Sequence, residues 1–368
     1  MGSAFSAVEL ALTPCLTAMQ AGNASTQQQS GAAVTLQSDA VPATTAAPEI
    51  SIFLASKKGD EDAMRRLLAS GADVNEQEAR TGRTPLFIAI YNRQEGVARL
   101  LLEAHADADK ASNKRETPLV MACENGMEGV VRLLLDKGVD VSDATSSGLT
   151  PLYAASTEAY LGIMKLLLES NADVNQAETR NGYTALFITS QQGHEAAVKL
   201  LLANGASVNQ RGKASGAPGQ IGSFPLYVAA TKGHGSVVSL LLEANAEVDA
   251  STSNGATPLF MASIEGHEAI ARQLVHAGAD VNHAASDGDT GLIMATDREH
   301  ARVVALLLEA KASVNQAASD GTTALQLAKG SGHHEIVRLL EGKPPLSPEL
   351  QARDRAHHAI AAVWGQPA

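Results

Sequence analysis

One leucine recurs along this chain at a nearly fixed interval. It stands at Leu86, Leu119, Leu152, Leu186, Leu226, Leu259, Leu292 and Leu325, so successive copies lie 33, 33, 34, 40, 33, 33 and 33 residues apart. A period of this length marks one supersecondary unit copied many times. Residues 254–282 show what the unit is. Thr257 suits a helix N-cap, because its hydroxyl can accept from an otherwise unpaired backbone N–H. Pro258 suits the first helical position, where a missing N–H costs nothing. Leu259 and Ala262 give that short helix an apolar edge. Gly266 can take the left-handed conformation that ends it. A second helix follows, with Ile270, Leu274 and Val275 on one face, and Gly278 can end it. Two short helices with one apolar face each cannot bury that face alone; they need copies of themselves on either side.

The residues around the leucine repeat as well. Thr-Pro-Leu begins at residues 84, 117, 150 and 257; Gly-His at 193, 233, 266 and 332; Ala-Asp-Val-Asn at 72, 172 and 279. This pattern resembles the ankyrin repeat over about residues 49–342, in about nine units. The resemblance implies an all-α solenoid of stacked helix-turn-helix units with β-turn tips. It also implies a function in binding other proteins, as a scaffold or adaptor without catalysis. A regulatory or inhibitory subunit of an enzyme complex, or a myristoyl-tethered membrane adaptor, is the alternative.

Composition fits such a stack. A compact chain of 368 residues is expected to divide into two or three domains, but in a solenoid each unit touches only its neighbours. Aromatics are 3% of the chain, as thin helix pairs packed through Ala and Leu require. The net charge of −12 argues against a general nucleic-acid binder. Two cysteines, Cys15 and Cys123, make no disulfide framework, which favours a reducing compartment and a cytoplasmic protein, the nucleus being a second possibility. No apolar run approaches transmembrane length. A monomer is expected.

Residues 1–48 hold no Lys or Arg and are polar and low in complexity from about residue 20, which reads as a disordered tail. Glu9, Pro14 and the missing basic residues oppose a secretory signal. The first six residues fit the loose myristoylation pattern, with Gly2 as acceptor, although so short a pattern also arises by chance. Residues 49–78 lack Thr-Pro-Leu and read as an N-terminal capping unit. In units two and four, Arg93–Gln94 and Ala159–Tyr160 replace Gly-His, so their helix junctions are expected to be tighter or differently capped. The long step to Leu226 locates an inserted loop at 211–222, either a tolerated insertion or a protruding contact loop. Gly291 replaces proline in unit eight, predicting a weaker helix start. Residues 343–368 read as a Pro-rich linker and a short helix that either caps the stack or docks elsewhere.

Where the ankyrin pattern has His after Thr-Pro-Leu, this chain has Phe87, Val120, Tyr153, Phe187, Tyr227, Phe260, Ile293 and Gln326. That row is either inter-repeat core or an aromatic ladder for a ligand. No nucleotide-binding, hydrolase or metalloprotease motif occurs, and no cofactor or metal is expected. His194, His234, His267, His300 and His333 fall at repeat spacing and read as structural.

The resemblance places the binding surface on a concave groove of turn tips and first helices. The pairs facing it are expected to be Tyr91 and Asn92, Glu124 and Asn125, Thr157 and Glu158, Gln191 and Gln192, Thr231 and Lys232, Ile264 and Glu265, and Asp297 and Arg298. Arg80, Arg83, Lys114, Arg115, Leu149, Tyr183 and Asp289 add the tips. Arg80, Arg83, Lys114 and Arg115 cluster on adjacent tips beside Tyr91, which suits an acidic or phosphorylated peptide or is an ordinary solvated turn.

Overall fold

The structure, a computed structural model, describes residues 50–213 and 222–343. The expectations for Gly2, the N-terminal tail, most of the inserted loop and the C-terminal segment lie outside these residues. Among the described residues the chain forms eighteen helices in nine antiparallel pairs and no strands. The first helices are α1 (Ile52–Lys58), α3 (Pro85–Tyr91), α5 (Pro118–Glu124), α7 (Pro151–Thr157), α9 (Ala185–Gln192), α11 (Pro225–Lys232), α13 (Pro258–Ile264), α15 (Gly291–Asp297) and α17 (Ala324–Ser331). The second helices are α2 (Glu61–Ala69), α4 (Glu95–Glu103), α6 (Glu128–Asp136), α8 (Leu161–Glu169), α10 (Glu195–Ala203), α12 (Gly235–Glu243), α14 (Glu268–His276), α16 (Ala301–Glu309) and α18 (His334–Leu340). First helices pack on first helices and second on second, in two unbroken rows.

Each first helix starts where its cap dictates. The N–H of Phe87 donates to Thr84 Oγ1 at 3.2 Å, and Val120, Tyr153, Phe187, Phe260, Ile293 and Gln326 do the same to the threonines three residues before them. A cap of this kind contributes about 1 kcal/mol. Unit eight keeps it, through Thr290, and α15 begins in register despite the absent proline. Phe224 replaces the threonine in unit six and leaves α11 without a side-chain cap. The capping unit uses Ser51 and Asp60 instead.

The core is a continuous file of small and branched side chains. Leu86, Leu119, Leu186, Leu226 and Leu292 are each no more than 1% exposed, and three residues after the leucine an alanine such as Ala89, Ala122, Ala229 or Ala262, or Thr189 in unit five, is fully buried. Those small side chains leave room for neighbouring first helices to pack on one another along the whole row. A solenoid of stacked repeats curves through the small rotation from one unit to the next.

The units are sewn together by polar ties at both ends. At the tips, the N–H of Asn113 donates to Thr81 O, Ser146 to Lys114 O, Lys213 to Asn181 O, Ser286 to Asn254 O and Ser319 to Asp287 O, at 2.6–3.0 Å. At the opposite end, Asn75, Asn175 and Asn282 each accept the N–H of the residue 31 or 32 positions on, at 2.7 Å. The insertion does not break this register: Gly212 donates to Ser223 O at 2.8 Å, closing its two ends.

Between the helices of a pair, the expected difference at units two and four is absent. Arg93 and Ala159 hold φ of 57° and 53°, the left-handed turn that Gly266 takes at 72°, and Glu299 does so at 60°. The junction geometry is therefore imposed by the stack, and three side chains are held in a conformation that costs an L-residue about 1–2 kcal/mol. Glycine is needed elsewhere for a second reason. A Cβ at Gly266 would sit 2.6 Å from the ring of His300, one unit on. Accordingly, Ala159→Gly is expected to raise stability by about 0.5–1 kcal/mol, the relief of strain less the entropy glycine loses. Gly266→Ala is expected to lower it by more than 1 kcal/mol, through strain and overlap together. Urea unfolding followed by circular dichroism reads both.

Candidate functional site

Tips and first-helix ends share one face. The Arg83 guanidinium, on the tip of unit two, lies 4.8 Å from the ring centre of Tyr91 and 5.0 Å from that of Phe87, at the two ends of α3. Tyr91 stacks on Phe87 and is 48% exposed. Along this face Arg80, Lys114, Arg115, Glu158, Lys232, Glu265, Asp297 and Arg298 are exposed, and Arg83, Asn92, Glu124, Asn125, Leu149, Thr157, Tyr183, Gln191, Gln192 and Asp289 are half-buried.

Two expected groove residues do not reach it. Thr231 and Ile264 are 8% and 7% exposed. The Thr231 hydroxyl donates to Tyr227 O at 2.8 Å, and Ile264 packs into the core. Both lie under the incoming histidine of the next unit. His267 Nε2 is 3.2 Å from Thr231 O and His300 Nε2 is 2.8 Å from Ile264 O. His234 and His194 make the same contact to Gln191 O at 2.9 Å and Thr157 O at 3.2 Å. A carbonyl can only accept, so Nε2 carries the proton in each. These carbonyls are ones that a helix C-terminus leaves unpaired. The histidines are therefore inter-repeat ties. Unit three has Met127 in that place, and Asn125 supplies the bond instead, donating to Ile90 O at 3.0 Å. Among the described residues no group of three or more His, Cys, Asp or Glu is placed to hold a metal.

The row following Thr-Pro-Leu is core. Phe87, Val120, Tyr153, Phe187, Tyr227, Phe260 and Ile293 are at most 6% exposed, which leaves no aromatic ladder for a ligand. Gln326 is exposed and closes a capping box with Thr323. Burial pushes the Tyr227 phenol upward, with Glu265 adding to it, and its hydroxyl has no hydrogen-bond partner among the described residues. Packing has replaced bonding at this position.

The basic cluster is only partly available. Arg83 pairs with Glu116 at 3.4 Å and Arg115 with Asp143 at 3.3 Å, each linking its unit to the next or to the turn behind it. Arg80 and Lys114 are exposed, and no carboxylate among the described residues pairs with either. Further along, Glu178 is buried at the tip of unit five and accepts the backbone N–H groups of Arg180 and Asn181 at 2.6 and 2.5 Å. That role could have been read from an acid standing five residues before Tyr183 in a turn. Arg211 and Lys213, at the start of the insertion, donate to Ser251 O at 2.5 Å and Thr179 O at 2.6 Å, so they bind neighbouring turns and do not project freely.

Two carboxyls on this face are held above the usual range. Burial, with Glu116 nearby, raises Glu124 to about 7. Burial, then Asp287, Asp320 and Asp297, raises Asp289 to about 6. Between pH 4.5, the ordinary glutamate value, and about 7 the folded chain holds a proton on Glu124 that the unfolded chain has lost. Stability from this group thus falls as pH rises through that window and stays low above it. Glu124→Gln is expected to be more stable than the parent by about 1–3 kcal/mol above pH 7, with the gain shrinking toward zero near pH 4.5. Denaturant midpoints at the two ends of the window decide it.

The comparisons with known proteins agree with this architecture. The family model described as "Ankyrin repeats (3 copies)" matches residues 52–145, 140–212, 211–285 and 281–345. Over 55 residues the chain is 44% identical to the NF-kappa-B inhibitor cactus of Drosophila yakuba and, equally, of Drosophila melanogaster. That stretch covers 15% of this chain and 11% of each relative. Nine stacked helix pairs, tied through histidine and asparagine and matched by the family model from end to end, place the chain in the ankyrin repeat family.

Proposed function

We propose that the protein is a non-catalytic scaffold or adaptor, monomeric and cytoplasmic, that binds a partner protein along its concave face. The observation that carries this is the continuity of that face. Turn tips and first-helix ends alternate along it, from Arg83 and Tyr91 in unit two to Asp289 and Asp297 in unit eight, on a frame whose own polar groups are spent on ties between units. Ankyrin repeats indicate protein–protein interaction, and their surface is extended enough to take a long segment. Tyr91, half-exposed and stacked, is the kind of rigid aromatic that anchors an interface. No helix among the described residues is long and apolar enough to cross a membrane.

A second reading, control of a partner's activity by binding it, is supported by the stretch that matches proteins named as inhibitors. It differs from an adaptor only in its consequence for the partner.

Photo-crosslinking in cell extract tests the surface. A benzophenone amino acid placed at Tyr91 or Gln191 of the full-length chain is expected to capture one partner set in common. The same group at Arg132 or Lys199, on the second-helix side, is expected to capture none of it. Capture from the second-helix side alone would overturn the assignment. Adding the purified chain to the recovered partner then separates adaptor from inhibitor by whether the partner's activity changes.

A further inference from the structure

Equivalent positions on the tips carry opposite charges at the two ends of the face. The position three residues before the capping threonine is Lys114 in unit three, Asp287 in unit eight and Asp320 in unit nine. The position immediately before that threonine is Arg83 in unit two and Asp289 in unit eight. Four residues before it stand Arg80 in unit two and Arg180 in unit five, both exposed. No carboxylate among the described residues pairs with Arg80, Lys114 or Arg180. A chain of net charge −12 thus keeps unpaired cations on the tips of units two, three and five, with an uncharged tip at residues 144–150 between them, and none on those of units seven to nine, over residues 251–257, 284–290 and 317–323.

We infer that these tips receive an acidic segment of the partner protein, about eight residues long, and that the acidic tips of units eight and nine keep it from sliding toward the other end. The inference rests on the concave face being the binding surface. The length follows from geometry. Three packed-helix steps of about 9 Å separate units two and five. An extended chain covers that span at about 3.3 Å per residue. The placement follows from screening. With a Debye length of about 8 Å in physiological salt, a carboxylate on the partner senses the tip beneath it and its neighbours, and not the far end of the stack. Attraction at one end and repulsion at the other therefore fix where the acidic segment lies. Arg83 and Arg115 contribute least, because Glu116 and Asp143 already pair with them.

The test uses the full-length chain and a fluorescent octaglutamate peptide, with octaglutamine, octalysine and an eight-nucleotide oligothymidylate beside it. Anisotropy titrations are run at low and at physiological salt. Octaglutamate is expected to bind at low salt, weaken as salt rises, and bind at least tenfold more weakly to the Arg80→Glu, Lys114→Glu, Arg180→Glu triple variant. Asp287→Lys with Asp320→Lys is expected to leave the first site intact and to add a weak second one. Thermal melts confirm that each variant is folded. Equal binding by the triple variant overturns the inference, and so does octaglutamine binding as well as octaglutamate. Tighter binding of the oligothymidylate at the same tips would replace the acidic protein segment by a nucleic acid and overturn it too. Crosslinks from Tyr91 and Gln191 that persist in the triple variant would sink the charge assignment and leave the groove standing. Their absence from the parent chain would sink the groove itself.

Discussion

The hydrogen bond from a histidine to a carbonyl at the end of the preceding first helix is the contact that ties units five to eight to the units before them. It satisfies an acceptor that helix geometry leaves open, and it does so across the boundary between units. To reach that carbonyl, His300 must pass over Gly266, and His234 over Gly193, at distances that no Cβ would permit. One residue pair, Gly-His, thus serves two neighbours at once: its glycine ends its own helix and makes room for the next histidine, and its histidine ties back to the previous unit. The threonine caps fix where each helix begins, and the buried alanines fix how near the next one stands. Curvature, and with it a face broad enough for a partner, follows from these local rules.

Most of the frame was legible in the residues. The leucine period gave the unit, Thr-Pro gave the helix starts, and the position of the insertion was visible as one long step. The structural roles of His194, His234, His267 and His300 followed from their spacing, because metal ligands have no reason to recur once per unit. The acceptors they reach were not legible, since those lie in the preceding unit and depend on how two helices are rotated against each other.

The face itself was harder to read. Thr231 and Ile264 occupy the position of exposed Tyr91 or Asp297, yet the side chains around them turn them inward. Position within a repeat sets the direction of the backbone, whereas burial is decided by the size and reach of neighbours. The same holds for charge. Arg83 and Arg115 look equivalent to Arg80 and Lys114 in the sequence, and only the placement of Glu116 and Asp143 shows which cations are already spent. Arg180 joins Arg80 and Lys114 across several units and not along the chain, so residue order does not reveal the cluster.

The uneven junctions give the solenoid a grain. A stack whose units touch only their neighbours holds together as a row of links, and its local stability varies from link to link. Between the two helices of a pair, Arg93, Ala159 and Glu299 mark three junctions where backbone strain is stored, while the other in-pair junctions close on glycine. Amide exchange along the chain will therefore not fade smoothly from the centre to the ends. These three junctions divide the stack into four blocks, a short one before Arg93, one from Arg93 to Ala159, a long one from the middle of unit four to unit eight, and a terminal one after Glu299. A partner that spans two blocks clamps the link between them, so binding over units two to five would quiet the motions at Arg93 and Ala159 and leave that at Glu299 untouched.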